Sequence, residues 1–183
     1  MKKLYTIVFL TLCVALFYQR VSARDHDHWW WKVRPVFRTV LSGAQEVPEV
    51  VTDSTGRLQL RFDRGMSRAE FQLYVFDGVG VTAAHLHCAS AGVNGPVIAL
   101  LFEDTDGVDV DGLLARGTLT NADISPPTPE ECGVVINNIA SLFNAILQNQ
   151  IYVNVHTIAH PEGEIRGQLF PLPAPPGFFI FKD

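Results

Sequence analysis

Of the six histidines in this 183-residue chain, three stand where one pair of strands could bring their imidazoles together. His85 and His87 flank Leu86, so on a β-strand both rings leave one face and Leu86 leaves the other. His156 sits in a second alternating stretch, with Asn154 on its own face and Val153 and Val155 on the opposite, core-directed face. With Leu86 in the core, all three histidines occupy outer polar faces, and they converge if the two strands are neighbours. The segment 158–163 carries His160 and turns the chain back into 164–170. There Glu164, Arg166 and Gln168 share one face, which places Glu164 near His156. Imidazole nitrogen suits Zn²⁺ or Cu²⁺, so His85, His87 and His156 with Glu164 or water form a candidate metal site. The competing reading gives the same imidazoles hydrogen bonds to loop backbone that help close the fold. A His-x-His pair alone does not separate the two, since any strand can bear it.

Other chemistry-bearing residues admit more than one role. Glu46, Glu164 and Arg166 put two carboxylates around one guanidinium, and a structural Glu46–Arg166 ion pair would lock the first loop to the last strand. Glycoside hydrolysis has no sugar-lined cleft to support it, and neither a nucleophile elbow, a phosphate loop nor a Ser-His-Asp order occurs. The acidic run 103–112 could attract Ca²⁺. It does not match the EF-hand, which needs glycine at its sixth position and glutamate at its twelfth, and it reads as a solvated hairpin loop.

The first 23 residues read as a secretory signal peptide. Lys2 and Lys3 precede an apolar run at 4–17, and Val21-Ser22-Ala23 offers a small-residue cleavage site. A run of about 14 residues is short for a bilayer span of about 20. Cleavage after Ala23 would expose Arg24-Asp25-His26, whose amine, amides and His26 imidazole could bind Cu²⁺ in a square plane. Removing Lys2, Lys3 and Arg20 leaves 11 basic against 19 acidic residues, a formal charge of −8, which disfavours nucleic acid and anionic membrane as partners. Cys13 leaves with the signal. Cys88 and Cys132 then remain as a disulfide candidate in an oxidising compartment, with free thiols or a Cys88 metal ligand as the alternative. The expected location is secreted, or periplasmic in a bacterium.

The remaining length, about 160 residues, suits one domain. Period-two alternation marks strands at 37–41, 57–63, 69–77, 81–88, 96–102, 113–121, 150–157 and 164–170, separated by Gly, Pro, Asn and Asp clusters. About eight short strands argue for a sandwich or Greek-key barrel. Ile136, Ile139, Ala140, Phe143, Ile146 and Leu147 recur at helical spacing and predict one amphipathic helix of about 12 residues. Thr128-Pro129-Glu130-Glu131 predicts a separate helical turn leading to Cys132. Residues 24–36 form a polar, Trp-rich leader. Residues 171–183 form a Pro-rich, aromatic tail, a candidate contact for a protein partner or a second copy.

Five phrases give the chain its character: Ser42-Gly43-Ala44-Gln45-Glu46-Val47-Pro48, Val81-Thr82-Ala83-Ala84-His85-Leu86-His87, Ala91-Gly92-Val93-Asn94-Gly95-Pro96-Val97, Tyr152-Val153-Asn154-Val155-His156-Thr157 and Pro161-Glu162-Gly163-Glu164-Ile165-Arg166-Gly167-Gln168-Leu169. In order and spacing they resemble the CHRD (chordin-type) domain, and the domain would occupy 37–170. The resemblance implies an immunoglobulin-like β-barrel distantly similar to Cu,Zn superoxide dismutase, and with the strand and helix pattern above the expected fold is an all-β, Greek-key β-sandwich with one short helical insertion. The resemblance also implies an extracellular setting. Chordin antagonises bone morphogenetic proteins, but this chain lacks chordin's cysteine-rich modules, so that role does not transfer. A dismutase centre would need a bridging histidine and further ligands in a zinc loop. Here the domain has only His85, His87, His156 and His160, and the loop after Cys88 has none. The expected function is therefore a non-enzymatic binding module with a copper or zinc site. The alternatives are a copper redox enzyme and a purely structural or protein-interaction domain.

Overall fold

A computed structural model describes residues 35–127 and 129–171. The expected signal segment, the leader as far as residue 34 with His26, Thr128 and the tail beyond Pro171 lie outside the described residues, and Val36, the expected end of the leader, already belongs to the first strand. Strands β1 (Val36–Ser42) and β2 (Thr55–Phe62) are followed by two long ones, β3 (Arg68–Cys88) and β4 (Val97–Thr120). A four-residue helical turn α1 (Pro129–Cys132) and helix α2 (Ile139–Leu147) then lead into β5 (Ile151–Thr157), β6 (Ile165–Gln168) and β7 (Phe170–Pro171). All pairings are antiparallel. They run β1 to β2 to β3 to β5 to β6 and back to β1, a closed circuit with β4 outside it along β3. Strand β7 pairs with β1 beside it.

The all-β expectation holds, but the strand count changes. The expected third and fourth strands run on as the 21-residue β3, and the fifth and sixth as the 24-residue β4. Asp77 (φ 54°) and Gly80 (φ 61°) take left-handed conformations in the middle of β3. There the strand leaves β2, which it pairs from Ala69 to Phe76, and joins β5, which it pairs from Val81 to Cys88. Strand β4 follows the bend through repeated bulges. Those bulges absorb the acidic run, which is strand rather than a hairpin loop. Its carboxylates serve local backbone: Asp104 Oδ1 accepts from the Gly107 amide at 3.1 Å, and Asp109 Oδ1 from the Gly80 amide at 2.9 Å.

The alternation on β2 and β3 sends Leu58, Leu60, Phe62, Leu73 and Leu86 into one core, where each is at most 1% exposed. Phe37, Phe62 and Phe143 meet edge to face at centroid distances of 5.3–5.6 Å. Helix α2 is nine residues long, shorter than expected, because Asn138 caps it: its side chain accepts from the Ser141 amide at 2.9 Å. Its buried face is Ile139, Leu142, Ala145 and Ile146, while Ala140 and Leu147 are exposed and Ile136 is buried ahead of the helix. Ile139, Phe143 and Ile146 face the core as the helical spacing predicts, while Leu142 and Ala145 complete the buried stripe in place of Ala140 and Leu147. The Cys88–Cys132 disulfide ties α1 to the end of β3 across 44 residues of sequence.

Candidate metal centre

The register of β3 against β5 sets Ala83 opposite His156, His85 opposite Asn154 and His87 opposite Tyr152. His156 is thus diagonal to His85 on one face of the pair, and His87 lies two residues further along. One ligand-capable atom from each of His85, His87 and His156 lies within 4.8 Å of the others. His85 Nδ1 is 3.1 Å from His156 Nε2.

The protonation of two rings follows from their partners. His87 Nδ1 is 3.0 Å from the Gly95 carbonyl and His156 Nδ1 is 2.8 Å from the Pro161 carbonyl. A carbonyl only accepts, so both Nδ1 atoms carry hydrogen and both Nε2 atoms keep a bare lone pair. His156 Nε2 spends its lone pair on His85. His87 Nε2 is buried and has no hydrogen-bond partner. Backbone carbonyls that fix the Nδ1–H tautomer and leave Nε2 free are the usual support of a metal-binding histidine.

Burial keeps these rings neutral. It drives the His87 imidazole down to about 4, against the weaker upward pull of the Gly95 carbonyl. Burial also lowers His85, helped by the His156 charge. It lowers His156 too, opposed by the Pro161 carbonyl and Glu162. At neutral pH all three rings are therefore neutral, as ligation requires, and His156 Nε2 would exchange its bond from His85 for a bond to a metal.

The outer face expected for the histidines is itself covered. His87 is 8% exposed and Asn154 3%, because the 43–54 and 89–96 loops fold over this side of β5 and β6. Under those loops lies a polar layer built around Arg166, 1% exposed. Its guanidinium donates to Asn94 Oδ1 (3.0 Å), the Val93 carbonyl (2.7 Å) and the Ser90 carbonyl (3.4 Å). Its Cζ also lies 3.4 Å from the centre of the Tyr152 ring. His87 stacks on that ring at 4.8 Å, with the planes 12° apart. Arg166 therefore sets the ring that sets a histidine.

The acidic candidates take other partners. Both Glu164 oxygens accept threonine hydroxyls, from Thr52 and Thr157, each at 2.6 Å. Burial would raise this carboxyl, but those bonds, Ser54 and the His160 charge together hold it below the usual range. Glu164 stays outside the histidine trio, as does His160. Glu46 accepts from Asn154 Nδ2 at 2.8 Å. The expected lock between the first loop and the last strand runs through Asn94, which accepts from Arg166 and donates to the Val47 carbonyl at 2.6 Å. Asn94 and Tyr152 were not singled out by sequence reasoning. The only sign of them was their place in two of the characteristic phrases.

Burial raises the Glu46 carboxyl to about 7, against the lowering effects of Arg166, the Val47 backbone and Asn154. A folded-state value above the unfolded one stabilises below the unfolded pKa, and that stability is lost as pH rises through 7. Glu46→Gln keeps the acceptor without the charge. It is expected to leave stability near pH 5 almost unchanged and to raise it by about 2 kcal/mol at pH 8. Urea unfolding at the two pH values checks this, and an equal shift at both would refute it.

Antiparallel strands that close on themselves, with a polar layer beneath two loops and a histidine trio at its side, define an all-β domain. The CHRD domain family model matches residues 37–169. The chain belongs to the CHRD family. No curated protein and no solved structure matches it.

Proposed function

We propose that this is an exported, non-enzymatic CHRD module that holds one copper or zinc ion on His85, His87 and His156. The observation that carries the reading is the bare, buried Nε2 of His87, beside two further neutral imidazoles and without a hydrogen-bond partner. An orphaned buried acceptor costs about 1–3 kcal/mol, and a bound cation would offset that cost. Three imidazoles suit Zn²⁺ or copper and leave a further position for water or an outside ligand. His85 and His156 are partly exposed, so an ion can reach them.

Family membership supports a binding role. The Cys88–Cys132 disulfide and the apolar leader support export. No helix among the described residues is long and apolar enough to cross a membrane. The closed antiparallel pairing, the strand that changes partners at its bend and the histidine pair on that strand support the immunoglobulin-like, dismutase-like sandwich as the finer description of the fold.

Metal analysis of protein purified without an affinity tag tests the site. The expected result is close to one copper or zinc per chain, falling to less than a tenth in His85→Ala and in His156→Ala. A metal-free wild type that also fails to take up either ion on titration would sink the reading. Bound copper with superoxide turnover would replace the binding module with a redox enzyme.

A further inference from the structure

A second surface lies on the other side of the strand circuit, where no described residue covers the outer face of β1, β2, the first half of β3 and the last third of β4. Its outward positions carry five exposed arginines, Arg38, Arg57, Arg61, Arg68 and Arg116, and one exposed acid, Glu70. The chain has 14 basic and 19 acidic residues and a net charge of −5, so this concentration runs against its overall charge. All five cations are arginine, the residue whose planar fork matches carboxylate and sulfate.

Four of the arginines, Arg38, Arg57, Arg61 and Arg116, rim two adjoining troughs. One, of about 750 Å³, is lined by Arg38, Gln45, Arg57, Gln59, Gln72 and Tyr74 among others. The next, of about 390 Å³, shares Gln59 and Gln72 with it and is lined also by Arg61, Glu70 and Arg116. Two of the guanidinium groups are already held in place. Arg38 Nε donates to Gln59 Oε1 at 2.8 Å, and Arg57 lies 4.4 Å above the Tyr74 ring.

We infer that this face binds an anionic polysaccharide. The arginines take the carboxylate or sulfate groups, and the glutamine amides and the Tyr74 ring take the sugar hydroxyls and ring faces. Competing occupants fit less well. A peptide gains little here, because the backbone groups of β2 and of the first half of β3 under the troughs are spent on ladders to both neighbouring strands. Duplex nucleic acid offers phosphates and stacked bases, and leaves the glutamine amides and the Tyr74 ring without the hydroxyls and sugar ring faces that they suit. The inference does not depend on the metal site.

Retention of the full chain on immobilised heparin at about 50 mM salt, against neutral dextran, is the test. Wild type should bind heparin, elute as salt rises and ignore dextran. Arg57→Gln/Arg116→Gln should weaken binding at least ten-fold while keeping the wild-type circular dichroism and urea midpoint. Val51→Glu/Val135→Glu makes the same two-unit change in net charge at exposed sites outside this face, and should change affinity less than two-fold. Absence of wild-type binding overturns the inference, as does an equal loss in both double variants. So does equal affinity for duplex DNA. Binding that requires deletion of the residues after Pro171 also overturns it, by making the tail the occupant.

Discussion

Arg166→Leu is expected to lower the unfolding free energy by about 4 kcal/mol, seen as a drop in the urea midpoint with an unchanged slope. The guanidinium is 1% exposed and closes three hydrogen bonds to the 89–96 loop. Leucine would leave the Ser90 and Val93 carbonyls and Asn94 Oδ1 facing an apolar group under the loop. Each orphaned buried acceptor costs about 1–3 kcal/mol. Glu46 would also lose the charge that partly offsets its burial. Arg166→Lys keeps the charge, but a single ammonium cannot span three acceptors and stack on Tyr152, so about half the loss should remain. A loss below about 1 kcal/mol for leucine would mean that water or loop movement satisfies those acceptors, and the polar layer would not be structural.

His87→Phe is expected to abolish metal uptake and yet make the metal-free protein more resistant to acid. The His87 imidazole titrates near 4 in the folded chain and near 6.5 when unfolded. Between those values the unfolded chain binds the extra proton, so stability falls as pH drops from about 6.5 to 4. The full loss is about 3 kcal/mol. His85 and His156 are lowered as well and add the same sign. Glu46 opposes them between about 4.5 and 7, since there the folded state holds the extra proton. The three imidazoles together outweigh it, so wild type should lose stability in acid. Phenylalanine can still stack on Tyr152 and removes the His87 share, at the cost of about 1 kcal/mol for the released Gly95 carbonyl. Parallel urea curves for wild type and His87→Phe with chelator at pH 7 and pH 4.5 measure this. Parallel losses in the two proteins would show that His87 is not buried in the neutral form.

The fold was legible where a residue's two neighbours decide its direction. Leu86, Val153 and Val155 point inward as the alternation requires, and His85, His87 and His156 meet because β3 and β5 are neighbours. The disulfide followed from there being only two cysteines outside the apolar leader. What sequence could not show was what the loops do. Alternation says that Asn154 and Arg166 leave the core side. It cannot say that the 43–54 and 89–96 loops then bury them, because loop paths depend on partners far away in the chain. The same gap hid Asn94, which bridges Val47 to Arg166, and gave Glu164 a metal-binding role in place of its two threonine bonds. The bend in β3 was read as a break because the glycines at 78 and 80 signal turns, and here they let one strand keep going.

The closed circuit also fixes when the chain can finish folding. Its last link is Ser42 against Arg166, and β5 and β6 complete the path from β3 back to β1. Until those last strands have been synthesised, β1 through β4 form only a meander with its inner surface open, however well their local pairs form. Contacts between such distant positions are the slow ones to establish. A growing chain on the ribosome therefore keeps this circuit open until β6 has emerged, and its apolar inner face must be kept from other surfaces until then.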